Sequence, residues 1–214
     1  MLDNIKGVIF DLDGTLVDSM WIWTQIDIDY LKMKGHQMPS DLRDNIVHLS
    51  FSQTAAYFKE RFNISDSIDT ILTDWHNMAF NHYSKNVKLK AGVKEFLNKL
   101  KDRNIKIALA TSNSVPLLEA CLKNNEIYDY FDSITTTDEV SRGKDYPDVY
   151  LLAASKINVT PENCLVFEDI LPAVQGAKAA NMKVIAVKDD DSLDSKEVLV
   201  KYADKYIESF NELL

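Results

Sequence analysis

The chain has 214 residues, of which 46% are apolar and 27% charged, a balance that supports a packed core and leaves length for a smaller inserted domain. Its 33 acidic and 24 basic side chains give a formal charge of −9. Nucleic acid and anionic membrane surfaces are repelled at long range and excluded as favoured partners, and an anionic substrate would need a cation built into its site.

In chain order, residues 7–10 (GVIF) read as a buried strand. Residues 18–86 then contain no convincing strand. They read as helices (WIWTQIDIDYLKMKG, QTAAYFKERF, TILTDWHNMAFNHYSK) punctuated by Gly35, Pro39 and the polar stretch 63–69. The chain returns near residues 84–90, so the segment is a helical insertion after the first strand. Beyond it, apolar β-branched runs at 105–110 (IKIALA), 164–167 (CLVF), 184–187 (VIAV) and 205–207 alternate with helical spacings. These spacings are Val93, Phe96, Leu97 and Leu100, then Leu117, Leu118, Cys121 and Leu122, then Val149, Leu152 and Ala153. Alternation of this kind predicts an α/β fold with a parallel sheet covered by helices on both faces. Residues 189–194 (DDDSLD) read as a solvated loop without the pattern of a calcium-binding helix–loop–helix. Cys121 and Cys164 sit in apolar runs without a CxxC pair and read as buried, reduced thiols. MLDNIKGVIF lacks a basic-then-apolar leader, and no run approaches the roughly 18 apolar residues of a membrane span. A cytoplasmic protein is therefore the expectation, with a monomer as the default.

Ligands of open parallel sheets bind beyond the carboxyl ends of the strands. The first strand is followed by Asp11-Leu12-Asp13-Gly14-Thr15, the strand at 105–110 by Thr111-Ser112-Asn113, and the strand at 164–167 by Glu168-Asp169; Lys144 lies between the last two. Three crowded carboxylates are costly without a cation. Oxygen donors without histidine suit a hard ion, magnesium rather than zinc. Thr111 offers a hydroxyl and Lys144 a charge for phosphate, and Gly14 lets the chain turn sharply beside an anion.

FDLDGTLVDS, with Thr111, Lys144 and Glu168-Asp169 following in order, resembles the four motifs of the haloacid dehalogenase superfamily. It is most similar to the β-phosphoglucomutase-like subgroup, and the resemblance covers essentially the whole chain. It implies a Rossmann-like core (residues 1–17 and 87–214) and an all-helical cap (18–86). It also implies a magnesium-dependent phosphatase acting on a small phosphorylated metabolite, a sugar phosphate or nucleotide. In that reading Asp11 is the nucleophile and becomes an aspartyl phosphate. Asp13 is general acid and then base. Asp11, the Asp13 carbonyl and Asp169 hold Mg2+, with Glu168 in support. Thr111, Ser112, Asn113 and Lys144 are the candidate phosphate ligands. The acid role requires the Asp13 pKa to rise above the ordinary aspartate value of about 3.9 through desolvation and neighbouring negative charge.

The chain departs from the subgroup at Lys144-Asp145-Tyr146-Pro147-Asp148, where the usual first proline is missing, and at Glu168-Asp169-Ile170, where the usual serine is. Sugar phosphomutases of the subgroup carry an early cap histidine and a later arginine. Here Trp23 and the arginine-free HLSFSQTA stand instead, which favours hydrolysis. A phosphomutase and a non-catalytic phosphometabolite-binding protein remain the alternatives. Met20, Trp21 and Trp23 line the pocket or belong to the cap core. Asn113 binds phosphate or shapes its turn. Asp18 and Ser19 read as hinge and helix-cap residues, Asp145 as loop solvation and Asp148 as a helix N-cap. The four histidines, His36, His48, His76 and His82, read as ordinary surface or interface residues.

Overall fold

A computed structural model describes residues 2, 4–46, 51–190 and 196–214. The central sheet contains β1 (Gly7–Phe10), β4 (Lys106–Thr111), β5 (Ser133–Thr136), β6 (Cys164–Glu168), β7 (Lys183–Val187) and β8 (Lys205–Ile207). All neighbours are parallel, in the order β5-β4-β1-β6-β7-β8. The polar run SITT was not separated as a strand by its pattern; it adds on one side only, at the sheet edge, where continuous apolarity is not required.

Strand side chains alternate between two apolar layers. Val8, Phe10, Ile107, Leu109, Leu165 and Phe167 face one layer. Ile9, Ala108, Ala110, Val166, Val184 and Ala186 face the other. The first is covered by α5 (Val93–Asp102), α6 (Val115–Asn124) and the C-terminal turn bearing Phe210. Its centre is a buried aromatic group in which Phe10 stacks on Phe167 at 4.9 Å and both meet Phe96 and Phe210. Truncating one such ring to alanine costs about 3–5 kcal/mol. The opposite layer is covered by α7 (Asp148–Lys156), α8 (Leu171–Ala179) and α9 (Lys196–Tyr202).

Between β1 and α5 the chain leaves through β2 (Val17–Asp18) and returns through β3 (Lys88–Leu89), which pair antiparallel. The helical stretch between them comprises α1 (Trp21–Met33), α2 (Leu42–Ile46), α3 (Phe51–Arg61) and α4 (Ile68–Lys85). Tyr30, Phe58 and Trp75 pack together inside it. Ser67 caps α4 by accepting from the Thr70 amide. α4 lies along α6, and the apolar cluster runs without a break from the sheet into the insertion. Two local expectations change. Asp148 occupies the first turn of α7, paired with Arg142, and Pro147 holds the N-cap position. The Ser19 side chain turns away from α1, toward Asp13. Among the described residues no helix is long and apolar enough to cross a membrane.

Candidate active site

Strand order reverses at β1, which is hydrogen-bonded to β4 on one side and β6 on the other. Ligands of open sheets bind at such a reversal. Asp11 follows β1, Thr111 closes β4, and Glu168 closes β6 with Asp169 next to it. The rim residues expected from the motifs therefore converge, although they come from segments 133 and 154 residues apart.

Lys144 is 2.5 Å from both Asp11 Oδ1 and Glu168 Oε1, and all three side chains are nearly inaccessible. Burial works against the lysine's charge, but the two carboxylates overcome it and hold its pKa above the ordinary lysine value. Its loop lies directly on α8, because a Cβ at Gly176 would stand 2.0 Å from the Lys144 carbonyl oxygen and 2.8 Å from that of Tyr146. Tyr150, buried on α7, donates to Glu168 Oε1 at 2.8 Å. Gly14 is the second tight fit. It has φ +76°, and a Cβ there would meet Asp169 Oδ2 at 2.3 Å. The Thr15 hydroxyl donates to the other Asp169 oxygen at 3.2 Å.

Carboxylate oxygens of Asp11, Glu168 and Asp169 lie within 4.8 Å of one another. Glu168 Oε2 and Asp169 Oδ2 are buried without a hydrogen-bond partner. Orphaned buried oxygens of this kind call for a partner, and an all-oxygen set fits a hard divalent cation. Without one, burial raises the Glu168 pKa to about 7 against the pull of Lys144. Burial, then the charges of Asp11 and Glu168, push Asp169 well above its usual range. The Asp13 side chain stands apart from the cluster; the expected ligand from that residue is its backbone carbonyl.

The Asp13 carboxylate is instead enclosed by neutral donors. Ser19 and Tyr83 hydroxyls each donate to Oδ1 at 2.6 Å, and Asn113 Nδ2 donates to Oδ2 at 2.8 Å. Burial first, and the Asp11 charge second, raise its pKa, while the three donors oppose the rise. The direction matches the expected demand on an acid. The Asn113 side chain thus meets Asp13, and its backbone N–H donates to Thr111 Oγ1 at 3.0 Å, a contact that shapes the turn. Tyr83 and Ser19 carry no motif signal. Tyr83 is an ordinary core position of an amphipathic helix until the fold brings α4 over the rim.

A cavity of about 570 Å3 opens above these groups. Rim residues including Ser112 form its floor, and Met20, Trp23, Phe51, His76 and Tyr83 reach it from the helical insertion. Trp23 lines this cavity. Trp21 does not line the cavity: its indole donates to the Asp18 carbonyl at 3.0 Å and meets His82 edge-on at 5.3 Å. Two positions along a helix turn a side chain by about 200°, so the two tryptophans face apart. His76, read as an ordinary surface residue, lines the cavity; His48 lies outside the described residues.

The family profile of haloacid dehalogenase-like hydrolases matches residues 8–187. The chain belongs to this family. It is 32% identical over 183 residues to a phosphorylated carbohydrates phosphatase of Thermotoga maritima, covering 85% of this chain and 84% of that one. It is 30% identical over 202 residues to a Saccharomyces cerevisiae protein provisionally named a pseudouridine-5′-phosphatase, covering 86% and 82% respectively. A crystal structure of a Thermotoga maritima protein provisionally named a β-phosphoglucomutase superposes with a TM-score of 0.87 at 29% identity, covering 98% and 97%. By family and by these relatives, the chain is a hydrolase of phosphoric monoesters.

Proposed function

We propose that the protein hydrolyses a small phosphomonoester through an aspartyl-phosphate intermediate on Asp11. Residues 18–86 act as a cap over a core built from residues 1–17 and 87–214. The observation that carries this reading is the division between two nearby carboxylates. Asp11 is ion-paired to Lys144 beside a carboxylate cluster, whereas Asp13 is set among neutral donors with a raised pKa. Environments that separate two acids in this way suit one for attack and the other for proton transfer.

In the first step an Asp11 oxygen bonds to phosphorus while the P–O bond to the leaving alcohol breaks, and Asp13 gives that oxygen its proton. In the second, Asp13 takes a proton from water, the water oxygen bonds to phosphorus, and Asp11 leaves as a carboxylate with inorganic phosphate released. Thr111, Ser112 and Lys144 bind the phosphoryl oxygens, with Thr111 retaining its hydroxyl proton to donate because it accepts from the Asn113 N–H. Asn113, Ser19 and Tyr83 orient Asp13. Magnesium held by Asp11, Glu168, Asp169 and the Asp13 carbonyl would supply positive charge against the phosphoryl oxygens.

Hydrolysis is favoured over phosphomutase chemistry by the cavity wall. Among the described residues lining it, Lys144 is the only lysine or arginine, and it is committed to the rim, so the far phosphate of a bisphosphate would have no permanently charged side chain beside it. The relatives' names span a carbohydrate phosphate and a nucleoside phosphate, and leave the leaving group open. The test is phosphate release from a monoester panel with and without Mg2+, with Asp11→Asn as blank. Interconversion of β-glucose 1-phosphate without net phosphate loss, dependent on a bisphosphate, would overturn it.

A further inference from the structure

The catalytic rim occupies only the floor of the cavity. The space above it, which must receive the alcohol part of the substrate, has a different chemistry. Met20 and Trp23 enter from α1, Phe51 from α3, and Leu117 from α6 on the opposite side. Trp23 and Phe51 keep 38% and 44% of their surface exposed, large values for rings that meet each other at 5.5 Å. Phe51 is held from behind by Trp75, which is 2% exposed and itself locked against Phe58 at 4.9 Å. The aromatic wall is therefore backed by the core of the insertion, which fixes its position in advance of binding.

Among the described residues, the polar side chains lining this upper space away from Asp13 are His76 on the insertion and Ser114 beside Leu117. An open-chain polyol would bring several hydroxyls out of water there and find few partners, at a cost for each one left unpaired. A flat unsaturated ring would instead bury apolar area against Trp23 and Phe51, and a ring heteroatom or exocyclic group could bond to His76. The cavity volume of about 570 Å3 falls within the range that holds a ring-sized ligand.

We infer that the substrate's leaving group carries a flat unsaturated ring seated against Trp23 and Phe51, making the preferred substrate a nucleoside monophosphate or comparable ring-bearing monoester and not a hexitol phosphate. This rests on the phosphatase reading for its catalytic floor, but the ring site is a property of the insertion and is separately measurable. The experiment compares kcat/KM for nucleoside 5′-monophosphates and an aryl phosphate with that for hexose 6-phosphates and a hexitol 6-phosphate, all with Mg2+. The expected preference for the ring-bearing group is about tenfold or more, and Trp23→Ala reduces that ratio by about tenfold while Trp23→Phe retains most of it. Circular dichroism checks that each variant is folded; Trp23→Leu and Phe51→Leu carry the same test should the alanine variant fail to fold.

Binding of a nucleoside monophosphate and of a hexitol phosphate to Asp11→Asn is measured alongside by calorimetry. Ring-selective binding without turnover of any monoester leaves the ring site standing and removes the phosphatase reading. Turnover of every class with equal efficiency, or faster turnover of hexose or hexitol phosphates, overturns the ring site and leaves the phosphatase reading intact. No binding and no turnover of any compound defeats both.

Discussion

The rim of the sheet and the inward face of the helical insertion build one cavity by opposite means. On the rim, charge is concentrated and water excluded: Asp11, Glu168, Asp169 and Lys144 are all buried within contact distance, and the backbone is pressed against them at Gly14 and Gly176. On the insertion, the wall is aromatic and partly exposed, and the hydroxyls of Ser19 and Tyr83 reach from it to Asp13. The difference teaches where tolerance lies. Groups that handle phosphate charge must hold fixed short distances, because electrostatic interactions in a dry site fall away once a donor moves. A wall that recognises an apolar surface works through area, and rings of similar size can replace one another.

The sharpest test of the rim is Asp11→Asn, which keeps the shape and removes the proposed nucleophile. Phosphate release is expected to fall by about four orders of magnitude or more, with substrate binding retained. Next comes Gly14→Ala, which places a methyl group 2.3 Å from Asp169 Oδ2 at a positive φ. Activity at limiting Mg2+ is expected to drop about 10–100-fold and to recover in part at high Mg2+, read from the metal dependence of kcat/KM.

Stability of the metal-free protein against pH probes the same rim without catalysis. Glu168 titrates near 7 when folded, above its ordinary value of 4.5, so between these limits the folded chain holds a proton that the unfolded chain has released. Stability is therefore present below this window and is lost as pH rises through it, by an amount on the order of 2 kcal/mol. Urea midpoints from pH 5 to pH 8 are expected to fall without metal, and Mg2+ is expected to flatten the slope. A metal-free midpoint that rises over this range would mean that the carboxylates are not desolvated as described.

The smallest effect is expected at one of the two hydroxyls that join the regions. Tyr83→Phe keeps the ring and removes one of three donors that favour the charged form of Asp13. The apparent pKa of Asp13 in the kcat profile is expected to move up by about one unit or less, with kcat falling by less than about tenfold. An unshifted profile would make Tyr83 a packing residue only and separate the insertion from the proton-transfer step.

Much of the rim was legible because its chemistry is local to strand ends. An apolar run followed at once by DLDGT, or by Glu168-Asp169, states both where the sheet stops and which atoms lie beyond it. The insertion was legible as helices, from spacing, but its contribution was not. Trp21 and Trp23 look equivalent in the string and face apart once α1 is packed. Asn113 and Ser19 are open to several roles in the string, and only the fold brings both side chains to Asp13. Strand β5 carries no such signal, because SITT lacks the apolar continuity of a strand buried between two neighbours.

By itself, then, the sequence determined the layered α/β fold, the family and the kinds of atoms at the sheet's edge, since each follows from short-range periodicity and from motifs a few residues long. Only the tertiary structure decided which of those atoms meet. Tyr83, Asn113 and Lys144 reach their carboxylates across 70, 100 and 133 residues, and contacts over such separations are set by how helices and loops pack onto the sheet, a quantity to which no local pattern in the chain is sensitive.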